Sequence, residues 1–145
     1  MPRAAPRPAK SKRPFRLSTP IVREPVLHQQ VAAVLRLEIA APGHISPQGV
    51  VWWSVDMAGY VGAAPGLRTA RGCIAGVPDV VILYGGRSFF IELKASDGLL
   101  SAAQAQVGTA IMLADGRFAV ARSAEEVLRL LDAWQIPRRR AVQSV

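Results

Sequence analysis

The chain has 145 residues, half of them hydrophobic, a single cysteine and a formal charge of +8. That length suits one domain with a real core, one cysteine excludes an internal disulfide or a multi-cysteine zinc site, and no apolar run reaches the roughly 18 residues of a membrane span. A reducing cytoplasm is therefore the expected compartment, with Cys73 a small loop or core residue. The charge is unevenly spread. Residues 1–23 hold seven Lys or Arg and no acid, and Arg138, Arg139 and Arg140 add three more at the other end. Residues 24–137 contain eight basic and all ten acidic residues, so the body is mildly acidic.

In chain order, residues 1–23 read as a basic, proline-rich arm. Pro2, Pro6, Pro8, Pro14 and Pro20 prevent a continuous helix or a packed core. The arm lacks the apolar core of a secretory signal, and it is suited to non-specific attraction of phosphates. The folded domain is expected over 24–136, followed by a basic tail over 137–145. Pro25 fits a first helical position, and Leu27, Val31, Val34, Leu35 and Ile39 recur at helical spacing until Ala41-Pro42-Gly43. A strand follows over Val50 to Val55, where at least one of Trp52 and Trp53 belongs to the core. The segment from Asp56 to Gly76 is glycine-rich and long for a plain connection, which favours a functional loop with one short helical turn near Leu67 to Arg71.

Two apolar runs, Val80 to Tyr84 and Phe89 to Ile91, flank Gly85-Gly86, the composition of a hairpin with a two-residue primed turn. With that turn Tyr84 faces Arg87, and the register carried outward sets Asp79 opposite Glu92, with Lys94 on the same face. Two facing acids repel, and a divalent cation would account for them: Mg²⁺ takes oxygen ligands and keeps water or phosphate in its other positions. Lys94 would then hold a water or offset charge on a phosphate. Beyond the hairpin, Ser101 begins a helix with Ala103, Val107, Ala110, Ile111 and Ala114 on its inner face. Gly116 ends it, Phe118 to Ala121 form a strand, and a capping box at Ser123 and Glu126 opens a last helix through Trp134. The order is α-β-β-β-α-β-α, a mixed sheet flanked by helices in an α/β fold.

These residues resemble the virus-type replication-repair nuclease (VRR-NUC) family of the PD-(D/E)XK superfamily. The resemblance spans roughly residues 24–136 and rests on Gly72 to Asp79, Phe90 to Ala95 and Leu100 to Gln104. It implies a restriction-endonuclease-like core, with Asp79 and Glu92 as metal ligands, Lys94 as the catalytic lysine and Gln104 as a polar residue of the active site. Glu24 matches the family's early acidic residue and would complete the acidic cluster. Where relatives often carry Gln, this chain has His28, and it lacks their Pro-Asn-Gly-like turn after the strand that ends near Asp56. Gly72 and Gly76 would let the backbone approach DNA, with Ser101, Arg13 and Arg16 as further DNA contacts. Three of these residues also have purely structural readings: Ser101 and Gln104 have capping-box spacing, and Glu24 suits a helix N-terminus.

The expectation is a Mg²⁺- or Mn²⁺-dependent DNA endonuclease. By resemblance it is of the standalone phage or bacterial type, a homodimer cutting branched DNA such as four-way junctions or flaps, with no organic cofactor and no membrane. The alternative is a non-catalytic DNA-binding or assembly protein that kept the nuclease fold. Other hydrolase chemistries lack their motifs: there is no Gly-x-Ser-x-Gly elbow and no phosphate-cradling Gly-x-x-x-x-Gly-Lys-Ser/Thr loop.

Overall fold

The computed structural model describes residues 22–55 and 65–139. Its elements are α1 (Glu24–Glu38), β1 (Val51–Ser54), α2 (Pro65–Ala70), β2 (Val80–Tyr84), β3 (Arg87–Leu93), α3 (Ala102–Leu113), β4 (Arg117–Ala121) and α4 (Ala124–Ala133). The four strands form one mixed sheet in the order β1-β2-β3-β4. The first two pairings are antiparallel and β3 with β4 is parallel, the α3 crossover making that last pairing possible. No helix among the described residues is long and apolar enough to cross a membrane.

The hairpin takes the expected register, from Tyr84 opposite Arg87 to Val80 opposite Ile91. Gly85 and Gly86 have φ of 59° and 72°, the positive pair that a type I′ turn requires. Strand alternation then divides the sheet into two faces. Trp52, Val80, Ile82, Phe89, Ile91, Leu93 and Ala121 meet Leu27, Val31, Leu35 and Ile39 from α1 and Val127 and Leu131 from α4 in one buried cluster. Each such aliphatic side chain contributes about 1.5–3 kcal/mol by leaving water. Trp52 is the core member of the tryptophan pair, its indole N–H donating to Ala40 O at 2.8 Å, whereas Trp53 is exposed.

The opposite face, carrying Val81, Phe90, Glu92 and Phe118, receives α3. Here the expected inner face of that helix needs correction. Ala110 and Ala114 are exposed, while Gly108 is buried, because a Cβ at Gly108 would stand 2.6 Å from the Phe118 ring. The missing methyl lets the helix settle onto Phe118, and of the expected inner face Ala103, Val107 and Ile111 are half-buried. A second correction concerns α4. Ser123 Oγ does accept from Glu126 N–H at 3.1 Å, but Glu126 Oε2 accepts from Arg122 N–H rather than from Ser123, so the box is half formed.

The C-terminal tail also differs from expectation. Arg139 N–H donates to Glu38 O at 2.6 Å and its Nε to Ile39 O at 2.8 Å, while Arg138 reaches Glu38 and Asp132 at 3.3 and 3.0 Å. Contacts with the packed domain therefore extend through Arg139, and Arg138 and Arg139 of the basic tail engage the C-terminal carbonyls of α1 and nearby acids. The N-terminal arm, with Arg13 and Arg16, and the Asp56 to Gly59 loop lie outside the described residues.

Candidate functional site

Four elements converge at one end of the hairpin: the first turn of α1, the approach to β2, the last residues of β3 and the first turn of α3. Each contributes a polar side chain for a local reason. Pro25 at the start of α1 needs no backbone donor, and Glu24 beside it lies in the first turn, where negative charge is favoured. His28 follows one turn later on the same side of the helix.

Asp79 sits one residue before β2. Its carbonyl accepts from Val55 N–H at 2.7 Å and its Oδ2 from Leu93 N–H at 2.8 Å, so this acid is tied to both neighbouring strands. The hydrogen-bonded ladder stops at Val80 opposite Ile91, one pair short of the expected Asp79–Glu92 pairing. The two carboxylates are nevertheless close enough that the charge of Asp79 acts on Glu92.

Glu92 is the buried member, only 2% exposed. Its Oε1 accepts from Gln104 Nε2 at 2.5 Å and lies 3.2 Å from Lys94 Nζ. Its Oε2 is buried and has no hydrogen-bond partner among the described residues. Lys94 is itself 11% exposed and stands between Glu92 and Glu24, 3.7 Å from the latter. The turn that follows it is fastened by Arg122, which donates to Ala95 O at 2.6 Å and Gly98 O at 2.7 Å. Both carboxyls are held above the ordinary range. For Asp79 burial is the main cause, opposed by the Leu93 N–H, His28 and Lys94 and reinforced by Glu24. For Glu92 burial again leads, followed by the Asp79 charge, with Lys94 pulling the other way.

Gln104 makes the cap that its spacing allows and also reaches the buried acid. The capping box is complete, Ser101 Oγ accepting from Gln104 N–H at 3.2 Å and Gln104 Oε1 accepting from Ser101 N–H at 2.8 Å. The same amide's nitrogen donates to Glu92, so the cap of α3 positions the buried acid. Ser101 is exposed, and its Oγ accepts the Gln104 N–H in that cap.

Gly76 has a packing role within the fold. Its φ is +85°, and a Cβ there would lie 2.5 Å from the Ala103 carbonyl and 2.7 Å from Gln104 N. The absent methyl makes room for the first turn of α3, and hence for Gln104. Gly72 has φ of +79° and open space around it, at the turn that ends α2. Cys73 is an exposed free thiol.

Lys94 Nζ lies 3.7 Å from Glu24 and 3.2 Å from Glu92, and its charge also acts on Asp79, so three carboxylates are gathered around one ammonium. A buried carboxylate oxygen without a donor is costly, and a hard cation is the usual remedy. The donor set fits Mg²⁺ or Mn²⁺ held by Asp79 and Glu92 with water or phosphate completing its shell. Among the described residues no three His, Cys, Asp or Glu side chains are already gathered as a metal cluster. Sequence reasoning missed the Leu93 N–H that fixes Asp79, for which one sequence holds no signal. It left His28 undecided, although the spacing from Glu24 places the two on one helical face. Compared with protein-family models, with curated proteins and with solved structures, the chain finds no match.

Proposed function

We propose that this chain is a metal-dependent DNA endonuclease of the PD-(D/E)XK type, related to the VRR-NUC family. The observation that carries the reading is the buried Glu92, with one oxygen shared by Lys94 and Gln104 and the other unpartnered, beside Asp79 at the end of the same hairpin. The strand order and the parallel β3–β4 pair agree with such a core.

Asp79 and Glu92 would hold the cation, with Glu24 close enough through Lys94 to add charge. When bound, Mg²⁺ or Mn²⁺ polarises a phosphate and lowers the pKa of an attacking water. Lys94 supplies a donor for that water or for a phosphate oxygen as negative charge develops. Gln104 keeps Glu92 in place, so its part is positioning. The basic arm holds the duplex near a site whose own acids repel it. Branched DNA as substrate, and a homodimer as the cutting unit, rest on the family resemblance.

The test incubates wild type, Asp79→Ala and Lys94→Ala with linear, flapped and four-way DNA, in Mg²⁺, Mn²⁺ or chelator. Cleavage confined to wild type with metal is expected. Cutting that survives Asp79→Ala or chelation contradicts the mechanism, and binding without cleavage throughout supports a non-catalytic DNA-binding or assembly role.

A further inference from the structure

His28 is the side chain of this cluster whose chemistry remains unassigned. Its Nε2 lies 3.6 Å from Asp79 Oδ2, and the imidazole is 37% exposed on the open side of the site. That separation is too long for a direct hydrogen bond. Two ligands of one cation, each at about 2.0–2.2 Å, stand roughly 3 Å apart when adjacent and about 4 Å apart when opposite. At 3.6 Å the pair is wider than adjacent ligands, a gap that a small turn of either side chain closes on a shared cation. Glu24, the other α1 side chain in the cluster, has Lys94 as its near neighbour, whereas His28 faces the acid directly. Glu92 Oε2, buried and without a hydrogen-bond partner among the described residues, is an acceptor that a cation beside the same carboxylates would satisfy.

We propose that His28 is a nitrogen ligand of the cation held by Asp79 and Glu92, and that it shifts the site's preference from Mg²⁺ toward Mn²⁺ and Co²⁺. This rests on the metal-dependent reading given above. An all-oxygen set suits Mg²⁺, which holds its waters tightly, whereas a neutral imidazole bonds better to borderline transition ions. Replacing the nitrogen by an amide therefore removes affinity selectively.

The experiment uses the full chain without DNA and titrates Mn²⁺, Co²⁺ and Mg²⁺ by calorimetry and electron paramagnetic resonance, with proton NMR of the imidazoles. The chain has two histidines, so His44, exposed in the loop before β1, is an internal control. Mn²⁺ is expected to broaden the His28 ring signals before those of His44. His28→Gln is expected to weaken Mn²⁺ and Co²⁺ binding about tenfold or more while leaving Mg²⁺ within about twofold. Equal loss for all three ions, no loss, or equal broadening of both rings would overturn the assignment. If wild type binds metal and cuts DNA while His28→Gln keeps the same metal preference, only the His28 role falls. If wild type binds none of these ions and Asp79→Asn changes nothing, the nuclease reading falls with it.

Discussion

Gln104 donates its side-chain amide to Glu92 Oε1 at 2.5 Å while its carbonyl accepts the Ser101 N–H at 2.8 Å. One residue therefore couples the start of α3 to the buried acid of β3. Gln104→Ala removes both contacts, and the expected loss of stability is about 1–3 kcal/mol, read by urea unfolding. Gln104→Glu keeps the cap but sets a second carboxylate against Glu92, so its loss should be larger at pH 7 than at pH 4. A Gln104→Ala protein as stable as wild type would show that the link is dispensable.

The raised carboxyls give stability a defined pH dependence. Asp79 and Glu92 bind protons more tightly in the folded state than at their ordinary values of 3.8 and 4.5. Their favourable contribution is complete below those values and is lost as pH rises through the raised folded ones. Without divalent cation, the stability of Glu92→Gln should fall less between pH 4 and 8 than that of wild type. An unchanged slope in thermal melts across that range would mean that Glu92 ionises freely.

Gly76 and Gly72 separate backbone conformation from crowding. Both have positive φ, but only Gly76 has backbone where a Cβ would go. Gly72→Ala should cost about 1 kcal/mol, while Gly76→Ala should cost more and displace the first turn of α3. Comparable melting temperatures for the two variants would contradict the packing role given to Gly76.

What could be read from the sequence depended on how local the cause was. The hairpin register was legible because Gly85-Gly86 admits one tight turn and alternation carries that register to Ile91. Trp52 and Trp53 could be split between core and surface only in principle, since which face of β1 is covered depends on helices far away in the chain. The inner face of α3 was misplaced at Ala110 and Ala114 because alanine fits either environment. Gly108 marked the true contact, though its reason, the Phe118 ring, comes from another element. At the site, residue types and spacing singled out Asp79, Glu92 and Lys94, while Gln104 was implied only by the family resemblance. The Leu93 N–H on Asp79 and the binding of Arg139 to the end of α1 are tertiary contacts that no local pattern announces.

The basic segments should separate by function. Residues 1–20 contain six Lys or Arg, and deleting them should weaken DNA binding and flatten its logarithmic salt dependence by at most about 5. Arg138→Ala should instead lower thermal stability, because Arg138 pairs with Glu38 and Asp132. Affinity and salt slope unchanged by the truncation would remove the arm from DNA binding.

The central claim is that Asp79 and Lys94 act as parts of one catalytic unit on DNA. It is tested most directly by the cleavage rates of wild type, Asp79→Ala, Lys94→Ala and the double variant on four-way DNA in Mn²⁺. Residues that act as a unit lose activity non-additively. The account predicts that each single variant falls nearly as far as the double; wild-type cleavage in either single variant, or losses that simply multiply in the double, would contradict it.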